Sequence, residues 1–352
     1  MNWQKYVRTV TPYVPGEQPK QEKMIKLNTN ECPYPPAPGV MEGVTRLNGA
    51  SLRLYPDPDV GALTGGLADY HGVKKEQVFV GVGSDDVLAL AFLTFFNSDR
   101  PILFPDITYS FYDVWANLYR IGYQTIPLDE DFRMRAVDYQ RENGGIIFPN
   151  PNAPTGVEEA QSLIEEIVSS NTDSIVIVDE AYIDFGGTSC LSLIDRYSNL
   201  LVVRTFSKSR ALAGLRIGYA IGNERLIGYL KDVRFSFNSY TMNLPAQEVG
   251  VASIVDEGYF NQCRQRIMAT REWVKVELSR LGFTFPDSKG NFIFATHEQV
   301  PAAELFAFLK GEGIYVRYWQ RPRIDNYLRI TVGTDEEMRA FINALEGYLS
   351  KP

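Results

Sequence analysis

The rhythm of apolar and polar positions changes twice along this chain. The first forty residues show no period; they are rich in Pro, Lys and Gln and contain the turn-prone run Cys32-Pro33-Tyr34-Pro35-Pro36-Ala37-Pro38. Proline fixes φ and removes a donor, so this segment reads as an extended arm (residues 1–40) lying over a folded body. From Gln77 short apolar runs alternate with longer stretches of helical period. Strands are expected at 78–82, 101–104, 123–127, 145–148, 174–178, 199–204 and 217–221, with helices at about 84–96, 109–119 and 158–169. The runs at 174–178 and 199–204 are rich in β-branched residues without polar alternation, as strands covered on both faces are. The pattern predicts an α/β fold with a mostly parallel sheet covered by helices on both faces over residues 41–243.

After Asn243 the signature shifts. A long helical stretch, continuous or broken, runs towards Leu281; strands follow at 291–295, 314–318 and 327–332, with helices at 302–310 and from Asp335. Helices on one side of a small sheet predict a second, smaller α+β domain over residues 244–352. The length of 352 residues accommodates two such units, since single cores stop growing at roughly 250–300 residues.

Composition narrows the chemistry. A net charge of −8 speaks against a nucleic-acid partner, which demands a basic face. The two histidines exclude a His-rich metal site and disfavour a Ser–His–Asp hydrolase. Three scattered cysteines form neither a disulfide framework nor a metal-ligand spacing, which favours a reducing compartment. With no run of apolar residues long enough for a signal peptide or a membrane span, a cytoplasmic enzyme of small metabolites is the expectation.

In open α/β sheets ligands sit beyond the carboxyl ends of the strands, and four such ends carry unusual residues. Gly81-Val82-Gly83-Ser84-Asp85-Asp86 joins a strand to a helix, where glycines and a helix N-terminus admit a phosphate. Simple capping by Ser84 or Asp85 explains the same residues equally well. No third glycine completes a dinucleotide fingerprint, and no P-loop lysine is present. Asn150-Pro151-Asn152-Ala153-Pro154-Thr155-Gly156 forms a rigid turn that projects the Asn152 amide. Asp179-Glu180-Ala181-Tyr182 puts a carboxylate directly after a buried strand, which is costly unless a cation such as a pyridinium nitrogen faces it; a loop-capping Asp179 is the plainer alternative. Arg204-Thr205-Phe206-Ser207-Lys208, with Arg216 downstream, offers a lysine that desolvation can make nucleophilic and two groups able to hold a phosphate.

In this order the four segments resemble the fold type I aminotransferases that depend on pyridoxal 5'-phosphate. The arm motifs Thr11-Pro12-Tyr13 and Lys26-Leu27-Asn28-Thr29-Asn30-Glu31, the segment Tyr55-Pro56-Asp57-Pro58 and the late run 328–334 resemble the histidinol-phosphate branch. The resemblance implies that Lys208 holds the cofactor as a Schiff base and then carries protons, and that Asp179 pairs with the pyridinium nitrogen. It implies that Asn152 and Tyr182 hydrogen-bond the ring's phenolic oxygen and that Tyr109 stacks on the ring. Ser84, Asp85, Ser207 and Arg216 bind or support the phosphate on this reading; being acidic, Asp85 caps the helix through its side chain and offers its backbone N–H. Tyr55 reaches the phosphate of a neighbouring subunit, so a homodimer with shared sites is implied. Arg329, helped by Arg317 and Tyr13, takes the carboxylate of glutamate or 2-oxoglutarate and the phosphate of histidinol phosphate. Two positions depart from the pattern: Leu54 stands where arginine is usual, and Asp86 where glutamate is common. The resemblance leaves open an aromatic amino-acid aminotransferase and a phosphothreonine decarboxylase of the same fold. A non-catalytic sensor module, which would carry a DNA-binding domain at one end, is not expected, because the arm leads straight into the fold and the charge is acidic.

Overall fold

The computed structural model describes residues 3–20 and 23–350. A two-residue strand, β1 (Ile25–Lys26), precedes helices α1 (Pro38–Arg46) and α2 (Gly61–His71). Then come β2 (Val78–Gly81), α3 (Ser84–Phe95), β3 (Ile102–Pro105), α4 (Tyr112–Tyr119), β4 (Tyr123–Ile126), β5 (Ile146–Pro149), α5 (Gln161–Ser170), β6 (Val176–Asp179), β7 (Leu200–Thr205) and β8 (Gly218–Gly222). These seven strands form one sheet in the order β2-β8-β7-β6-β5-β3-β4. All neighbours pair parallel except β8, which runs antiparallel to both β7 and β2.

Alternate residues of the central strands feed two cores. Val178 and Val202 point to one face, Ile177, Leu201 and Val203 to the other, and all are fully buried. This two-sided burial explains why these segments lack polar alternation. The reversed strand has a consequence for the site. Gly218 pairs with both Gly81 and Thr205, so the segment entering β8, with Arg216, arrives at the edge where the parallel strands end.

The remaining chain contributes α6 (Glu224–Phe237), α7 (Leu244–Val255), α8 (Glu257–Arg280), β9 (Phe283–Thr284), β10 (Phe292–His297), α9 (Ala302–Gly311), β11 (Ile314–Tyr315), β12 (Arg317–Tyr318), β13 (Leu328–Thr331) and α10 (Asp335–Leu349). An antiparallel sheet of order β12-β13-β10-β9 packs on α8, α9 and α10 through Val274, Leu278, Leu305, Met338 and Phe341. Fully burying each such side chain stabilises by roughly 1.5–3 kcal/mol.

Several local expectations change. The arm is not wholly extended: Trp3–Tyr6 forms a 3-10 turn and α1 begins at Pro38, with proline in the first turn; its strand β1 pairs parallel with β11. Helices α1, α2 and α6 lie outside the helices expected from sequence. The 314–318 run splits, its first half pairing with the arm and its second with β13. The helical stretch after 243 breaks at Asp256, whose side chain accepts from Tyr259 N at 3.3 Å and starts α8. Helix α7, expected on the small-domain side, packs against α1 and α2 through Val40, Leu63, Val249 and Ile254. Helix α5 starts at Gln161 rather than 158 because Glu159 N donates to Asn150 Oδ1 at 2.8 Å and extends the Asn-Pro turn.

Candidate active site

Two compartments open at the carboxyl edge of the large sheet and share Thr29, Tyr109, Ala153, Tyr182 and Lys208. The inner one, about 160 Å³, is lined by Ser84, Asp85, Asp179, Ser207 and Arg216. The outer one, about 350 Å³, is lined by Tyr13, Arg317, Trp319, Arg321, Arg323 and Arg329. Lys208 stands at the junction, its Nζ donating to the Thr29 carbonyl at 3.3 Å.

At the inner end, β6 delivers Asp179 with 4% exposure. Its Oδ2 accepts from the Tyr112 hydroxyl at 3.1 Å and its Oδ1 from Ala181 N at 3.1 Å. Burial pushes this carboxyl up to about 7, against the Tyr112 and Ala181 hydrogen bonds, which pull it down. Among the described residues no cation lies within ion-pair distance of it. A buried acid left so is matched by a cationic guest.

The first turn of α3 follows Gly83 at φ +87° and carries no side-chain cap. Its amides are therefore available to an anion. Arg216, itself at φ +55°, lies so close to Gly83 that a Cβ there would collide with the guanidinium. The guanidinium donates to Ser207 Oγ at 3.3 Å and meets Asp85 Oδ2 at 3.2 Å. Asp85 does not cap the helix: its other oxygen accepts from the Tyr109 hydroxyl at 2.8 Å. The carboxylate that turns back onto the loop is Asp86, accepting from Val82 N at 2.9 Å. Burial and the Asp85 contact push the Tyr109 phenol well above its ordinary range, so it stays protonated as that donor.

Asn152 lies beside the site with both amide hydrogens engaged, by the Ile107 carbonyl at 3.0 Å and Thr155 Oγ1 at 3.0 Å, while its buried Oδ1 has no partner among the described residues. Tyr55 stands apart from both compartments, 80% exposed and stacked on Tyr240 at 4.5 Å between ring centroids.

The outer compartment is cationic. Arg329, carried by β13, donates to the Asn28 carbonyl at 3.0 Å, and its buried Nε has no partner among the described residues. Its guanidinium lies over Trp319 and Phe292, 5.2 and 5.5 Å from the ring centroids. Burial and nearby Arg317 pull its pKa down from the ordinary arginine value, and no carboxylate among the described residues pairs with it. Arg317 holds the arm through the carbonyls of Val14 and Pro15 at 3.2 and 3.4 Å. Tyr13 stacks on Phe111 with centroids 4.1 Å apart. Desolvated guanidinium groups lacking acidic partners form an anion site.

Sequence reasoning assigned no role to Asn30, Tyr112 or Thr331. Asn30, at φ +56° and 1% exposed, donates through Nδ2 to the Tyr182 hydroxyl oxygen at 3.0 Å. The left-handed asparagine in the quoted arm motif was a signal, but its partners lie 152 and 301 residues away.

Comparison with known proteins identifies the chain's relatives. The family model described as aminotransferase class I and II matches residues 22–345. A histidinol-phosphate aminotransferase from Lactococcus lactis subsp. lactis is 52% identical over 351 residues, covering 100% of this chain and 98% of the relative. Histidinol-phosphate aminotransferase 1 from Hydrogenovibrio crunogenus is 53% identical over 347 residues, covering 99% and 98%. Among solved structures, histidinol-phosphate aminotransferase from Sinorhizobium meliloti in complex with pyridoxal 5'-phosphate superposes with a TM-score of 0.83 at 21% identity, covering 93% and 91%.

Proposed function

We infer the reaction from the family outward: the chain belongs to the aminotransferases of class I and II. It is a pyridoxal-phosphate enzyme that transfers an amino group between histidinol phosphate and 2-oxoglutarate, running in biosynthesis from glutamate to imidazole-acetol phosphate. The observation carrying this reading is the position of Lys208 between an uncompensated buried acid, Asp179, and an uncompensated guanidinium, Arg329. The cofactor, when bound, supplies an electron sink for the charge left as a substrate Cα–H bond breaks.

The chain's own residues then divide the work. Lys208 is the attachment point and, once free, the amine that moves a proton to or from the substrate carbon. Asp179 would pair with the ring nitrogen and keep it protonated, with Tyr112 orienting the carboxylate. The α3 N-terminus at Ser84, Ser207 and Arg216 hold the phosphate; Asp85 keeps Arg216 and Tyr109 in place. Tyr109 would cover the ring and Tyr182 would meet its phenolic oxygen, with Asn152, next in the chain to Ala153 of the same wall, supporting that side. Arg329, with Arg317 and Tyr13 beside it, takes the substrate phosphate in one half-reaction and a glutamate carboxylate in the other, since a planar fork suits both anions.

Residues 41–243 together with α7 serve as the cofactor domain, the chain from α8 onward as the small domain and residues 1–40 as the arm over the site. Tyr55, with exposed Leu52, Leu54 and Phe237, faces a second copy in a homodimer and reaches that copy's phosphate site. No helix among the described residues is long and apolar enough to cross a membrane, and the metabolites concerned suit the cytoplasm.

The test is optical. Purified protein loaded with cofactor is yellow, bleaches with histidinol phosphate and recovers with 2-oxoglutarate. Bleaching with phenylalanine or tyrosine at a much higher rate moves the assignment to aromatic amino-acid transfer. Release of CO2 from phosphothreonine without a keto acid moves it to decarboxylation.

A further inference from the structure

Each polar atom of Asn30 has one partner. Its backbone N–H donates to Thr331 Oγ1 at 3.0 Å, and the same hydroxyl donates back to Asn30 Oδ1 at 3.0 Å. Its carbonyl accepts from Asn291 Nδ2 at 3.0 Å, leaving Nδ2 to the Tyr182 hydroxyl at 3.0 Å. Asn30, Thr331 and Asn291 are all buried. The Thr331 hydroxyl proton decides which way the amide faces. With the amide turned over, that proton loses its acceptor in a site without water access, and the Tyr182 hydroxyl would point at Asn30 instead.

We propose that Asn30, locked by Thr331, is a positioning residue that fixes the direction of the Tyr182 hydroxyl proton. The amide N–H occupies one lone pair of the tyrosine oxygen, so Tyr182 donates only into the inner compartment, towards the cofactor's phenolic oxygen. This rests on the reading of Tyr182 given above. It also ties the arm and β13, which carries Arg329 two residues before Thr331, to the electronic state of the cofactor.

The experiment uses cofactor-loaded protein and reads the pH midpoint of its visible absorbance, with the pyridoxal-phosphate dissociation constant as a second measure. Donation from Tyr182 favours the deprotonated chromophore, so losing it raises the midpoint. Tyr182→Phe and Asn30→Asp are each expected to raise it by about one unit. In Asn30→Asp the carboxylate captures the tyrosine proton. Thr331→Val, nearly isosteric and neutral, raises it less, and each weakens cofactor binding. The charged and titratable groups that face Tyr182, namely Lys208, Arg329, Tyr109 and Tyr112, are untouched. In the Tyr182→Phe background, Asn30→Asp and Thr331→Val add little.

A midpoint shift in Tyr182→Phe alone, with the other two at the wild-type value, overturns the proposal and leaves the Tyr182 reading intact. An Asn30→Asp shift that persists undiminished without the tyrosine hydroxyl also overturns it, because charge alone then acts. Should Tyr182→Phe itself cause no shift, both readings fall. Thr331→Val supplies the answer if Asn30→Asp does not fold.

Discussion

The two compartments meeting at Lys208 handle charge in opposite ways. In the inner one, Arg216 is already paired with Asp85 and Asp85 accepts from Tyr109, while Asp179, hydrogen-bonded by Tyr112, has no counter-ion among the described residues. In the outer one, Arg323 is paired with Asp106, but among the described residues Arg329 and Arg317 hydrogen-bond only backbone carbonyls. The inner wall is pre-set in a mutual network and suits one permanent guest. The outer wall leaves desolvated positive charge for whichever anion arrives, which lets one site accept a phosphate and a carboxylate in turn. Preorganisation sits where the guest stays, and unspent charge where guests exchange.

Breaking the junction has the largest expected effect. Lys208→Ala should fold and retain some cofactor affinity yet lose turnover by on the order of 10,000-fold, measured as single-turnover bleaching. Turnover near wild type would remove Lys208 from its role. Next comes the outer wall. Arg329→Lys keeps the charge but loses the fork, so kcat/KM should fall about 10- to 100-fold for histidinol phosphate and glutamate alike, with an unchanged cofactor spectrum. A fall for one substrate only would mean that the two anions use different sites. The inner network is probed by Gly83→Ala, whose Cβ displaces Arg216; cofactor binding should weaken roughly tenfold while Arg329-dependent discrimination persists.

The smallest effect sharpens the comparison through pH. In cofactor-free protein Asp179 titrates near 7 instead of its ordinary 3.8. The folded state then binds this proton more tightly than the unfolded chain, so stability falls as pH rises through that window. Asp179→Asn should gain melting temperature over wild type as pH goes from about 5 to about 8, and bound cofactor should cancel the difference. A constant gap across that range would show that Asp179 is not strained by burial.

Much of this was legible beforehand because the strongest signals are local. Four strand ends with Gly, Asn-Pro, Asp and Ser-Lys chemistry lie within a few residues of their own strands. What escaped was set by distance or by weak periodicity. Helix α1 carries two glycines and α2 three, which blurs a helical pattern that packing against α7 then rescues. The role of Asp85 depends on Arg216, 131 residues away, so local reasoning assigned it to the nearest helix end. That the Asn152 amide is held by the Ile107 carbonyl, 45 residues away, is likewise visible only in the fold.

The pairing of β1 with β11 has a bearing on how the enzyme is made. Thr29 and Asn30 border the site but are fixed by strands that end at residue 331. While the polypeptide is still being synthesised, the large sheet can close around its loops, yet the arm has nothing to dock against until that late segment leaves the ribosome. A nascent chain therefore presents Lys208 without its ceiling, and the completed site is among the last features to form.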